Sequence, residues 1–373
     1  MTRRVSSSVL LLALLACGPL PTPTVVPAPP TEQIVGRLLL LGDGGHPAVA
    51  AEPVLTAART LLAPFGDRGT LVLLGDNIYP RGLPDPAAPD FAEMSRRLLA
   101  QLDAGLGAGA DVIAVPGNHD WDKSGPDGLV RIRRAAATIA AHDARAALLP
   151  GDACPGPAVA RSGAGIRVLA LDTQWFLHPH EKPTTECAVH DLATLGAALR
   201  ASLAADTAVT IVIAHHPLRT QGVHGGYFDW KQHLFPLREL HEKLWIPLPV
   251  IGSLYPIIRG SGIAAQDLTN ARNRAMTDTL LQALAPARPL LYASGHEHNL
   301  QLFEDADAGL LAVSGAGFFG HESAVFPGNG LRFGSPKSGG MYIDRLMDGR
   351  IRLGVFTVDR AGAAREVYSR WLR

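Results

Sequence analysis

The chain has 373 residues, with 34 Lys and Arg against 34 Asp and Glu, 47% apolar residues and only 18% charged ones. That balance excludes a disordered chain, which pairs low hydrophobicity with high net charge, and a nucleic-acid binder working through a broad basic patch. The length suits one large domain or two smaller ones, and 39 Gly with 29 Pro indicate many turns rather than a helical bundle.

At the N-terminus, Arg3 and Arg4 precede Ser6-Ser7-Ser8 and an apolar run from Val9 to Ala16. The run is too short to cross a bilayer but has the length of a signal-peptide core. It closes on Leu14-Leu15-Ala16-Cys17, which resembles the bacterial lipobox. The resemblance implies a signal peptide over residues 1–16 and a lipid anchor on Cys17. The protein would then be exported and held in the cell envelope, on the periplasmic side or the cell surface, by lipid rather than a transmembrane helix. An ordinary signal peptide with an incidental cysteine is the alternative. Loss of residues 1–16 removes two arginines and no acid, leaving 32 basic against 34 acidic residues. Gly18, not Asp, follows the cysteine, so no inner-membrane retention signal is seen. Residues 17–32 are rich in proline and read as a semi-rigid tether.

From Gln33 on, aliphatic runs alternate with amphipathic stretches. Ile34–Leu41 leads into Asp43-Gly44-Gly45, Leu71–Leu74 into Gly75-Asp76-Asn77, and Val112–Val115 into Gly117-Asn118-His119-Asp120. Ile166–Leu171 leads into Asp172, Val209–Ala214 into His215-His216, and Leu290–Ser294 into Gly295-His296-Glu297-His298. Between these runs, Val54–Leu62, Phe91–Leu102, Leu129–Ala141, Leu192–Leu203 and Asn270–Leu284 have helical spacing. Continuous aliphatic strands alternating with helices predict a mostly parallel sheet covered on both faces. In the C-terminal third, Gln301–Phe303, Leu310–Val313, Met341–Arg345, Ile351–Val358 and Glu366–Trp371 read as successive strands, predicting a second, more antiparallel sheet.

Nearly every metal-capable side chain follows the carboxyl end of a predicted strand, where ligands bind in open α/β folds. Asp43 and Asp76 offer hard carboxylate oxygens, and one carboxylate can bridge two cations. Asn118 offers a carbonyl oxygen, and His215, His296 and His298 offer imidazoles. Tyr79, three residues after Asp76, can bring a phenolate to the same ion. Taken singly, each of these reads as a turn residue, a structural histidine or a packed aromatic. Together they suffice for two ions with open positions for water or substrate.

The five blocks Asp43-Gly44-Gly45, Gly75-Asp76-Asn77-Ile78-Tyr79, Gly117-Asn118-His119-Asp120, Val212-Ile213-Ala214-His215 and Gly295-His296-Glu297-His298 resemble the calcineurin-like metallophosphoesterase superfamily. Within it, Gly45 and Tyr79 resemble the purple acid phosphatase branch of the small, tartrate-resistant type. His46 could offer an alternative ligand in the first block. The resemblance implies a four-layer α/β/β/α sandwich of two mixed sheets flanked by helices. It also implies ferric iron at Asp43, Asp76, Tyr79 and His298, and a second ion (iron, zinc or manganese, divalent) at Asp76, Asn118, His215 and His296. The activity implied is phosphate monoester hydrolysis on a small phosphorylated substrate by a metal-bound hydroxide, with His119 and His224 contacting the phosphate or protonating the leaving group. His216 and Asp120 would support the ligands, Asp120 by orienting His119. A phosphodiesterase or nucleotide hydrolase on the same metals is one alternative, and a non-catalytic surface-binding lipoprotein is another.

Residues 33–373 would form a single domain with an apolar insertion at about 225–270. Its stretch Trp245–Ile258 carries no charge and three prolines. It reads either as a packed insertion over the site or core, or as a lid that shapes the substrate pocket or touches lipid. Cys154 and Cys187, in an exported chain, could form one disulfide. Neither has a CxxC partner, so a thiolate metal site is not indicated.

Overall fold

Alternate residues of a strand face opposite ways, and that is how one aliphatic run serves two cores. A computed structural model describes residues 18–47, 51–206, 208–239 and 244–372; the expected signal peptide and Cys17 lie outside them. In β1 (Ile34–Leu41), Leu38 and Leu40 enter a core between two sheets, while Leu39 and Leu41 enter a core beneath helices.

The first sheet runs β14-β13-β12-β1-β2-β3-β4. Here β2 is Gly69–Leu73, β3 Asp111–Ala114, β4 Ala146–Leu148, β12 Gly339–Leu346, β13 Ile351–Val358 and β14 Ala364–Trp371. Strands β1 to β4 are parallel and the three C-terminal ones antiparallel. The second sheet runs β11-β9-β10-β8-β7-β6-β5, with β5 Ala158–Arg161, β6 Arg167–Ala170, β7 Thr210–Ile213, β8 Leu291–Ser294, β9 Leu300–Asp305, β10 Gly309–Ser314 and β11 Leu331–Ser335. Helices α1 (Pro53–Leu62), α2 (Phe91–Leu106) and α3 (Gly128–His142) cover the outer face of the first sheet through Leu62, Leu98, Leu102 and Ile132. Beyond a short α4 (Gln174–Leu177), α5 (Leu192–Ala204) and α8 (Ala271–Leu284) cover the second through Leu195, Leu199, Met276 and Leu280. The result is a four-layer α/β/β/α sandwich of two mixed sheets.

One expectation changes. The C-terminal strands do not make a sheet of their own. Strands β12 to β14 extend the first sheet from β1, whereas β9 to β11 extend the second, which begins at β5 in mid-chain. The proline-rich stretch, expected as a semi-rigid tether, lies in part against the domain. Leu20 packs on the core of the second sheet, the Ser369 N–H donates to Thr24 O at 2.8 Å, and the Val26 N–H donates to Ser369 Oγ at 2.9 Å. The buried Arg352 guanidinium donates to Val26 O at 3.0 Å. Residues 20–26 are therefore a strap along β14.

Cys154 and Cys187 are joined as a disulfide. It ties the turn before β5 to the loop leading into α5. The insertion contains two short helices, α6 (Trp230–Leu234) and α7 (Leu254–Gly260). No helix among the described residues is long and apolar enough to cross a membrane.

Candidate metal centre

The two sheets are joined at the carboxyl ends of β1 and β10. The Gly42 N–H donates to Ser314 O at 2.7 Å, and Ser314 Oγ donates to Leu40 O at 2.8 Å. That seam brings the loops after β1, β2, β3, β7 and β8 to one edge. Close approach there demands glycine. A Cβ on Gly75 would lie 2.5 Å from His215 Nδ1, and one on Gly117 would lie 2.2 Å from Asp76 Oδ1. Asp43, Asp76 and His296 have positive φ, at 60°, 53° and 69°. Such turns cost non-glycine residues of order 1–3 kcal/mol each and cluster at functional sites.

The seven side chains expected as ligands converge in two groups. In the first, the Tyr79 O–H donates to Asp43 Oδ1 at 3.1 Å and lies 3.1 Å from His298 Nε2, which is 3.5 Å from Asp43 Oδ1. In the second, His215 Nε2 lies 3.0 Å from Asn118 Oδ1, 3.1 Å from His296 Nδ1 and 3.5 Å from Asp76 Oδ1. Ligand atoms of Asp43, Asp76 and His215 all fall within 4.8 Å of one another, so Asp76 stands between the two groups.

The outer hydrogen bonds set the histidine tautomers. His215 Nδ1 faces the Leu74 carbonyl at 2.9 Å, and His296 Nε2 faces the Gln266 carbonyl at 3.0 Å. A carbonyl only accepts, so both of these nitrogens carry the proton. His215 Nε2 and His296 Nδ1 therefore turn bare lone pairs toward each other and toward the Asn118 oxygen. Three acceptors meeting with no donor between them fit a bound cation. Burial, with Asp76 beside it, pushes the Asp43 carboxyl up to about 8. Burial, reinforced by Asp43 and Asp76, holds the Tyr79 phenol well above 10.

The remaining expected residues fall as follows. His119 donates its backbone N–H to Asp76 Oδ1 at 2.8 Å, and its Nδ1 is held by the Pro80 carbonyl at 2.7 Å. Its Nε2 lies 3.9 Å from Asp76 Oδ2. Asp120 does not orient it. That carboxylate accepts from the backbone N–H groups of Gly117, Asn77 and Ile78 and from the Asn77 side chain, at 2.8 to 3.1 Å. It clamps the second block to the third. His216 is buried behind the ligands, with its nitrogens occupied by Thr173 Oγ1 and Gln266 Oε1 at 2.8 and 2.7 Å. Burial lowers its pKa to about 3. His46 is exposed, its ring 5.9 Å from that of Phe318 and outside the cluster.

His224 stacks on His296, with ring centroids 3.9 Å apart, and its Nδ1 lies 2.7 Å from Asp267 Oδ1. Burial lowers its pKa, but the Asp267 hydrogen bond and the Glu297 charge outweigh this and leave it above the usual histidine value. Arg259 donates to both oxygens of Asp267, at 3.0 and 3.2 Å.

Four further residues escaped the sequence reading. Gln266 and Asp267 lie at the end of the apolar insertion, where no spacing marks them. Glu297, the variable letter of its block, accepts from Thr220 Oγ1 and from the Val223 and His224 N–H groups, and so fixes the loop bearing His224. His321 packs 4.0 Å from the His298 ring. Its signal was available, since it sits in the glycine-rich loop after β10. With His224, His298, Lys231, Arg238 and Arg259 it lines a 550 Å³ cleft beside the ligands.

No family model matches the chain, and no curated protein matches it. Solved structures do. GAP50, the anchor in the inner membrane complex of Plasmodium, aligns with a TM-score of 0.53 at 16% identity, over 90% of this chain and 87% of that one. The purple acid phosphatase PPD1 from yellow lupin (Lupinus luteus) seeds aligns with a TM-score of 0.53 at 12% identity, over 90% of this chain. The chain spans only 53% of the lupin protein's length. A dimetal phosphatase from Danio rerio aligns with a TM-score of 0.44 at 15% identity, over 91% and 99% of the two chains. At these identities the first two likenesses show a shared fold alone.

Proposed function

We propose that the chain hydrolyses phosphate monoesters at a binuclear metal centre and is held in the cell envelope through Cys17. The observation that supports this most is the convergence of metal-capable side chains around Asp76: the Tyr79–Asp43–His298 group on one side, and the facing acceptors of Asn118, His215 and His296 on the other. Two bound cations would neutralise the phosphate and lower the pKa of bound water. The first group, with two carboxylates and a phenol, suits ferric iron; the second, with neutral Asn and His, suits divalent iron, zinc or manganese.

The chain's own residues then complete the chemistry. Pro80 fixes the Nδ1 proton of His119, leaving Nε2 beside Asp76 to contact the substrate. Asp267 holds Nδ1 of His224, so Nε2 is the nitrogen that can give a proton to the leaving oxygen. Lys231, Arg238 and Arg259 bring positive charge to the cleft. GAP50 is described as an anchor, so the fold alone does not imply catalysis. The complete ligand set, with His119 and His224 both beside it, favours the enzyme.

The test is the metal content and visible spectrum of the purified protein, with hydrolysis of a monoester and a diester compared. A tyrosinate–ferric absorption band that vanishes in Tyr79→Phe supports the iron assignment. A colourless protein with two zinc ions would overturn that assignment, absence of phosphate release from the monoester would overturn monoester hydrolysis, and inactivity on both esters would overturn the hydrolase.

A further inference from the structure

Large apolar side chains exposed among the described residues are scattered at Val25, Val130, Val159 and Met347, and otherwise confined to residues 230–263. There Val250 is 87% exposed, Ile251 71%, Ile257 66% and Trp245 53%. Of these, Ile251 joins Leu237, Leu254, Ile258 and Ile263 in walling a 650 Å³ groove. Trp245–Ile258 carries no charge, and the Arg238 guanidinium lies 3.8 Å over the Trp245 ring. An uncharged aliphatic and tryptophan surface edged by arginine has the chemistry of segments that settle at a lipid–water interface. A patch this concentrated is not ordinary surface.

The strap indicates which surface this patch meets. Residues 20–26 run along β14 and the chain reaches Gly18 beside Pro327, where a Cβ on Gly18 would lie 4.0 Å from Pro327 Cγ. Next to Pro327, the Phe326 N–H donates to Gln221 O at 2.8 Å, and the Phe326 ring lies 6.1 Å from that of Tyr227. One residue on, the Phe228 ring lies 6.2 Å from Tyr255 in α7. The described chain thus begins, at Gly18, near the rim from which the insertion rises, and the expected anchor Cys17 is the residue next to it in sequence.

We propose that the apolar face of the insertion is a membrane-docking surface. It rests on the same bilayer that Cys17 enters and holds the mouth of the 550 Å³ cleft at the lipid surface. The inference does not depend on hydrolysis, and turnover of a soluble monoester, followed in parallel, keeps the two readings separate.

The test uses the full chain and its full-length Cys17→Ser form, each mixed with phosphatidylcholine vesicles brominated on the acyl chains. Tryptophan emission should be quenched in both, and Trp245→Phe should remove more than half of the quenching. Ile251→Asp with Ile257→Asp, both at exposed positions, should weaken vesicle binding of the Cys17→Ser form about tenfold, with soluble monoester turnover unchanged. Three results would overturn the proposal. One is quenching unaffected by Trp245→Phe. Another is no quenching with the groove filled by residues 9–16. The third is a solution dimer that Ile251→Asp splits without any lipid contact.

Discussion

Asp267 Oδ1 lies 2.7 Å from Nδ1 of His224, so a carboxylate from the apolar insertion holds the ring expected to protonate the leaving group. Burial raises the Asp267 pKa, but the hydrogen bonds from His224 and Arg259 outweigh it and keep the carboxylate ionised. Removing a carboxylate that orients a functional histidine typically costs about 10- to 100-fold. Asp267→Ala should lower kcat by about that factor with both metals retained and KM changed much less. Metal analysis beside steady-state kinetics checks this, and equal loss of metal would show a merely structural role.

Asp120 should matter for stability more than for protonation. It satisfies three backbone N–H groups and one side-chain N–H at the join of two blocks. Each buried donor left without a partner costs about 1–3 kcal/mol. Asp120→Ala should therefore destabilise the fold by about 3 kcal/mol or more and reduce metal content, while Asp120→Asn, retaining one acceptor oxygen, should lose less. Denaturant unfolding with metal analysis separates the two variants.

The disulfide closes a separation of 33 residues. A loop of that size contributes about 3–4 kcal/mol by constraining the unfolded chain. Cys154→Ser with Cys187→Ser should lower unfolding stability by about that amount, with turnover at 25 °C little changed because the bridge lies away from the ligand loops.

His178 should contribute to acid sensitivity. It is fully buried, and neither ring nitrogen has a hydrogen-bond partner among the described residues. Burial, with His180 and Lys182 adding to it, lowers its pKa to about 4. In the unfolded chain the ring takes up its proton near pH 6.5. The stabilisation of the neutral folded form is thus complete above 6.5 and is lost as pH falls toward 4. Stability of the wild type should drop between pH 7 and pH 5, and His178→Phe should reduce that drop by about 2 kcal/mol. Thermal melts at the two pH values measure it.

Much of the centre is legible in the sequence because strand ends are. Parallel strands put their carboxyl ends on one edge, so Asp43, Asp76, Asn118, His215, His296 and His298 can be read as neighbours before any coordinate is known. Which sheet receives a strand is not written locally. Strand β12 carries Asp344 and Arg345 where β10 is aliphatic, yet nothing in either run marks that β12 joins β1 some 300 residues earlier in the chain, through Leu38↔Ile343 and Leu40↔Met341. Edge strands β4 and β5 have three and four residues, too few for a periodic signal. Gln266 and Asp267 reach the site only through the tertiary course of the insertion. The strap is hidden for a similar reason: proline composition reports an extended backbone but not what it lies against, and here Ser369 and Arg352 hold it.

The most direct test of the central claim is phosphate release from p-nitrophenyl phosphate by metal-loaded wild type and Asp76→Asn, with metal stoichiometry measured on the same samples. Asp76 stands between the two ligand groups. The wild type should hold two ions per chain and turn over, and Asp76→Asn should lose at least one ion and about 10³-fold or more in rate. Equal phosphate release from the two proteins, or a wild type that holds two ions and releases no phosphate, would contradict the account.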